Sequence, residues 1–157
     1  MYKHISYLKD VIGQDYIGIK FTKEELYSIL NMWKAYFSVN KNIDLINFID
    51  NKYKRDGDHY HITLINAMEW KELKLKEELV FLEEELFKVI DDIEYIGIGR
   101  ALKNDNETHF IVVESEELNK MRDIFQLKPI DKHITLGFDK KDVFGLDKGK
   151  GSIFIEL

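Results

Sequence analysis

Two histidines and two threonines recur in this chain at one spacing, as His61-Ile62-Thr63-Leu64 and as His133-Ile134-Thr135-Leu136. Only five His and four Thr occur among 157 residues, so a doubled His-x-Thr stands out from background. Each copy sits in a β-branched run, Tyr60 to Ile65 and His133 to Phe138, that reads as a strand. On a strand, side chains i and i+2 leave the same face, so each copy presents an imidazole beside a hydroxyl. Two such strands facing each other put two imidazoles and two hydroxyls around one cleft. Imidazole titrates nearest neutrality, which suits taking a proton from an attacking oxygen and giving one to a leaving oxygen. Threonine hydroxyls can donate to non-bridging phosphate oxygens. The chemistry implied is phosphodiester cleavage without a metal, with Lys132, Lys148 and Lys150 adding positive potential.

Plainer readings compete for each residue. A lone His-x-Thr is most often structural, its ring and hydroxyl bonded to nearby backbone; the doubling favours function. His59 precedes His61 by two and shares its face, so the two also read as a metal pair. No Cys and no His-Glu-x-x-His accompany them, and no metal ligands or cofactor are assigned. His109 reads as a rim or edge-strand residue. Aromatic side chains near the motifs are candidates for stacking on a base: Tyr16, Tyr60, Trp70, Phe138 and Phe144.

The elements that must position these groups follow from periodicity. Tyr16 to Phe21 reads as a strand running into Thr22-Lys23-Glu24-Glu25, a capping box that opens a helix to about Phe37. Leu26, Ile29, Leu30, Trp33 and Phe37 form its buried stripe. A second helix is expected over Ile43 to Ile49, then a charged connection over Lys52 to Asp58. Glu69 to Ile90 reads as the longest helix, with Leu73, Leu79, Leu82, Leu86 and Val89 inward. Ile93 to Leu102 and Thr108 to Glu114 flank the turn signal Asn104-Asp105-Asn106-Glu107, a hairpin. Ser115 opens another short helix, and Ser152 to Leu157 is a last strand. The order suggests one domain over 1–157, built as two αβ halves with one motif each.

Bulk properties bound the partners. A formal charge of −6, with no basic stripe visible along the chain, argues against long nucleic acid and for a small nucleotide in a locally basic cleft. Absence of Cys, of a signal-peptide pattern and of a bilayer-length apolar run leads to the expectation of a cytoplasmic protein without membrane attachment.

The two motifs and their flanks resemble the 2H phosphoesterase superfamily. Gly57-Asp58-His59-Tyr60-His61-Ile62-Thr63-Leu64 and His133-Ile134-Thr135-Leu136-Gly137-Phe138, followed by Asp142-Val143-Phe144-Gly145-Leu146, are similar to its Swiss Army Knife branch. So is Gly97-Ile98-Gly99 paired with Phe110-Ile111-Val112-Val113; the likeness runs from about Gly57 to Gly149. The resemblance implies an α+β, bilobal, pseudo-twofold fold, with antiparallel sheets around a central cleft and helices outside. It implies metal-independent catalysis by His61 and His133, with phosphate bound by Thr63 and Thr135. Tyr16, Tyr60, Phe138, Phe144 and Lys148 are the expected substrate-binding residues. Members of the superfamily cleave cyclic phosphates of RNA processing or 2′–5′ linkages, and some phage members destroy the cyclic oligonucleotide signals of bacterial immunity. Small size and acidic charge favour a signalling nucleotide here. RNA-end processing, or sequestration of a nucleotide without turnover, are the alternatives.

Overall fold

A computed structural model describes residues 2–39, 43–76, 86 and 88–157. Its strands are β1 Lys3–His4, β2 Ser6–Lys9, β3 Asp15–Phe21, β4 Tyr60–Ile65, β5 Val89–Ile90, β6 Glu94–Lys103, β7 Asn106–Glu114, β8 Lys132–Phe138 and β9 Ile153–Glu156. Its helices are α1 Tyr27–Val39, α2 Leu45–Asp56, α3 Ala67–Lys74 and α4 Glu116–Ile124, with a 3-10 turn at Lys150–Ser152. The architecture is α+β, as expected. Seven strands form one antiparallel sheet in the order β2-β3-β4-β8-β7-β6-β9, and β1 pairs separately with β5. The two motif strands therefore lie side by side at the centre, joined through the antiparallel pair Ile62↔Ile134.

One face of this sheet is dry. Ile17, Ile19, Ile62, Leu64, Ile111, Ile134 and Leu136 meet Trp33, Phe37, Phe48, Trp70, Leu118 and Met121 from the four helices in a single core. Aliphatic side chains of this size each contribute about 1.5–3 kcal/mol on burial, enough to fix which way every strand faces. The opposite face carries the motif histidines and threonines, with a smaller cluster of Ala101, Phe110, Val112 and Val143 beside them.

Local signals account for most helix starts. Thr22 and Glu25 exchange backbone and side-chain hydrogen bonds ahead of α1, as the capping box requires. Asn66 and Glu69 do the same for α3, and Ser115 caps α4. The hairpin turn is tighter than the sequence suggested. Only Asn104 and Asp105 stand outside the ladder, at φ 52° and 58°, and β7 begins at Asn106. Two residues at positive φ match the twist of the strands they join.

Three expectations are corrected. The charged stretch from Lys52 is no loop: α2 continues to Asp56, because the Lys52 stem is buried and its ammonium donates to the carbonyls of Gly57 and His59 past the helix end. The helix expected to reach Ile90 ends at Lys74 in α3, and Val89–Ile90 forms β5 against β1, with Val89 exposed. Leu79 and Leu82 lie outside the described residues, while Leu86 is buried. His109 is no rim residue. It is fully buried among Phe37, Phe48 and Phe154, where Nδ1 accepts from Trp33 Nε1–H at 3.0 Å and Nε2 lies 3.0 Å from Glu107.

Candidate active site

Each motif is a bulged strand, and the bulge falls at the same residue in both. Along β3–β4 the register moves from Gly18↔Thr63 to Ile17↔Ile65, leaving Leu64 extra. Along β7–β8 it moves from Phe110↔Thr135 to His109↔Gly137, leaving Leu136 extra. A bulge adds local twist and turns the residues beyond it to the other face. Both leucines are fully buried in the core, which holds the bulges in place.

Between the bulges, His61, Thr63, His133 and Thr135 all alternate away from the buried Ile62 and Ile134. The antiparallel register set by that pair places His61 across from Thr135, and Thr63 across from His133. The four side chains thus share one face around a local twofold. The sheet supplies, between neighbouring strands, the cluster that the sequence assigns to two facing ones.

Neighbouring strands close around each ring. Tyr16 on β3 meets His61 edge-on at 5.6 Å, and Phe110 on β7 meets His133 edge-on at 5.6 Å. Nδ1 of each imidazole is buried and makes no hydrogen bond. Burial lowers His61 to about 4, with Arg55, His59 and Lys52 adding to it against Asp56. Burial lowers His133 to about 3, reinforced by Lys148 and by His61 itself. Both rings are neutral at pH 7 in this state, and a proton on one disfavours a proton on the other.

An ionic cluster sits beside the motifs. Asp142 is 6 % exposed; its Oδ2 is 2.6 Å from Arg55 Nη1 and its Oδ1 is 3.0 Å from Lys148 Nζ. Thr135 Oγ1 lies 3.5 Å from Oδ2, at the outer limit of a hydrogen bond. Burial alone would raise the Asp142 carboxyl, yet Lys148 and Arg55 hold it below the ordinary carboxylate value. Arg55 also pairs with Asp56 and lies over the Phe138 ring at 5.0 Å. Two cations, one of them a planar fork suited to phosphate, are thus brought to the hydroxyl of the second motif. A cleft of about 480 Å³ opens next to them, lined by Ile130, Asp131, His133, Phe144, Leu146 and Lys148 among others.

The expected substrate-binding residues divide. Tyr16 lies against His61, and Lys148 against Asp142. Phe144 is 71 % exposed at the cleft, with Lys148 Nζ 5.4 Å from its ring. Tyr60 is corrected: it points into the core on the face opposite His61 and is covered by Lys52 Nζ at 3.6 Å. Phe138 is turned to the motif face by the bulge, but it is buried under Arg55 and offers no free ring. Trp70 packs in the core against Tyr7. Lys132 donates to Asn119 and Ile130, and Lys150 pairs with Glu114, so neither joins Lys148. Arg55 and Asp142 were missed, because no periodic signal links residues 87 positions apart. His59 and His61 lie 6.0 Å apart, and among the described residues no group of three or more His, Cys, Asp or Glu is placed to hold a metal ion.

Residues 28–144 match the model of the Swiss Army Knife, 2H phosphoesterase domain, which includes both bulged strands, Arg55 and Asp142. The chain belongs to this family. Comparison with curated proteins and with solved structures gave no significant match. The match begins earlier than the motif likeness, taking in most of α1 and all of α2. That extension has a structural basis in this 2H phosphoesterase, since α2 packs on β8 and delivers Arg55 to Asp142. Members of the family are phosphodiesterases, and so is this chain. Among its described residues no helix is long and apolar enough to cross a membrane.

Proposed function

We propose that this phosphodiesterase cleaves a small nucleotide by a two-histidine mechanism at the β4–β8 seam. The observation that carries this reading is the twofold placement of His61, Thr63, His133 and Thr135 on one sheet face, with Arg55 and Lys148 beside them. The scissile phosphate lies between the rings, its non-bridging oxygens accepting from the two threonine hydroxyls and facing Lys148 and Arg55. One neutral imidazole takes the proton from the attacking oxygen, either water or an adjacent ribose hydroxyl. The other, protonated when the anionic phosphate arrives, gives its proton to the leaving oxygen as the phosphorus–oxygen bond breaks. With Nδ1 buried on both rings, Nε2 is the nitrogen left to exchange protons with substrate. The twofold arrangement serves either direction of attack, so substrate orientation assigns acid and base.

A cyclic oligonucleotide, of the kind used as an immune signal, suits the small cleft and the acidic surface elsewhere. The test is turnover of cyclic di- and trinucleotides, 2′–5′ oligoadenylate, 2′,3′-cyclic AMP and ADP-ribose cyclic phosphate in EDTA, read by chromatography. Turnover is expected to persist in EDTA and to fall by about 10²–10⁴-fold in His61→Ala and in His133→Ala. Loss of turnover in EDTA would sink the metal-free mechanism. Ligand bound but recovered intact would make the protein a nucleotide sink.

A further inference from the structure

A single phosphodiester is already served by the four motif residues, Arg55 and Lys148, yet the positive surface does not stop there. Beyond Phe144 two more clefts open, of about 670 and 450 Å³, and Phe144 lines both of them as well as the cleft beside His133. Lys103, Lys140 and Lys141 line the first; Lys54, Arg55, Lys140 and Lys141 line the second. Among the described residues, the only carboxylate in either lining is Asp142, which is already neutralised by Arg55 and Lys148. Lys54, Lys103, Lys140 and Lys141 are exposed, and none forms an ion pair among the described residues. These lysines come from three separate segments: the end of α2, the end of β6 and the loop after β8. That is why no basic stripe appears in the sequence.

The loop that carries two of them is pinned. Asn106 Oδ1 accepts from the Lys140 and Lys141 amides at 2.9 and 3.5 Å, and its Nδ2 donates to the Lys141 carbonyl at 2.5 Å. Asn47 and Asn51 on α2 both donate to the Asp139 carbonyl, and Asn47 also reaches the Asp139 carboxylate at 3.2 Å. Of the two acids flanking the lysine pair, Asp139 is thus engaged with α2, and Asp142 is paired with Arg55 and Lys148. One buried amide, Asn106, and two half-buried ones, Asn47 and Asn51, hold this solvent-facing loop and leave Lys140 and Lys141 presented at a defined place.

We propose that Phe144 and the Lys54/Lys140/Lys141 surface form a second-phosphate subsite, and that the substrate is therefore an oligonucleotide carrying at least two phosphates. This rests on the phosphodiesterase reading above. A base stacks on the exposed Phe144 ring, the phosphate on one side of it lies between the histidines, and the phosphate on the other side meets the lysines. On a protein of net charge −6, this strip is where a polyanion is drawn and oriented.

Calorimetry with the linear dinucleotide pApA and with AMP, on the wild type and on Lys140→Glu/Lys141→Glu, tests the subsite. Turnover of bis(4-nitrophenyl) phosphate, a lone diester, is followed in parallel. The charge reversal is expected to weaken pApA by about tenfold or more, because two exposed attractions to phosphate become repulsions. It is expected to leave AMP binding and lone-diester turnover unchanged, and to make pApA binding less sensitive to added salt. Phe144→Ala is expected to weaken pApA more than AMP. Equal loss for pApA and AMP, or none for either, overturns the subsite. Wild type that never turns over a diester, but still distinguishes pApA from AMP through these lysines, overturns the catalytic reading and leaves the subsite standing.

Discussion

Both motif histidines are held neutral by burial, and that has two measurable consequences. Above pH 6.5 they are uncharged in the folded and the unfolded chain alike. As pH falls from 6.5 through about 4 for His61 and about 3 for His133, the unfolded chain takes up protons that the folded one refuses, so stability is lost. The melting temperature of His61→Ala/His133→Ala is therefore expected to drop less between pH 7 and pH 4 than that of the wild type. In the proposed two-histidine mechanism the same shifts make the protonated acid scarce in free enzyme near neutrality. We expect kcat/KM to climb as pH is lowered from 8 towards 5, and kcat to follow at higher pH, because bound phosphate restores the missing basicity. Asp142 poses the opposite problem. In Asp142→Asn the buried Lys148 ammonium loses its carboxylate partner, an expected loss of about 3 kcal/mol in urea unfolding with a rise in KM.

At the level of elements, the site depends on how closely β3 and α2 approach the motif strands. A Cβ on Gly18 would stand 2.2 Å from the Ile62 carbonyl oxygen, a backbone atom that cannot step aside. Gly18→Ala must push β3 off β4 next to Thr63, with an expected cost of about 1–3 kcal/mol and a lowered kcat. A Cβ on Gly137 would stand 2.7 Å from the Phe48 carbonyl oxygen, on the seam between β8 and α2. Because α2 carries Arg55, Gly137→Ala is expected to raise KM by more than it lowers kcat, a split that steady-state kinetics reads directly. The bulges at Leu64 and Leu136 belong to the same scale. Replacing either leucine by alanine removes a fully buried side chain from the core side of its bulge, with an expected loss of about 2–5 kcal/mol.

Over the whole molecule, an acidic chain gathers around Phe144 lysines that have no ion pair among the described residues. Exposed charges interact over a Debye length of about 10 Å at 0.1 M salt. Raising sodium chloride from low to high concentration is therefore expected to raise KM for an oligonucleotide substrate while kcat stays nearly constant. A neutral-sided lone diester should show the weaker response.

Much of the candidate site is readable from residues 61–64 and 133–136 alone, since period-2 alternation puts His and Thr on one face wherever the run is a strand. The capping box at Thr22 and the Asn104-Asp105 turn are equally local, because their partners lie within three residues. What the chain could not announce was pairing at a distance. That β4 and β8 are neighbours in one sheet, that both leucines are bulges, and that Phe138 is spent under Arg55 all follow from registers set by core burial across the fold. Tyr60 sits one residue from His61, and strand alternation sends the two to opposite faces. Arg55, Asp142 and the lysine strip belong to separate segments and meet only when α2 packs on β8. The proposed chemistry is local and therefore written in the sequence; the electrostatics around it is a sum over distant residues, and only the packed sheet decides which ones are near.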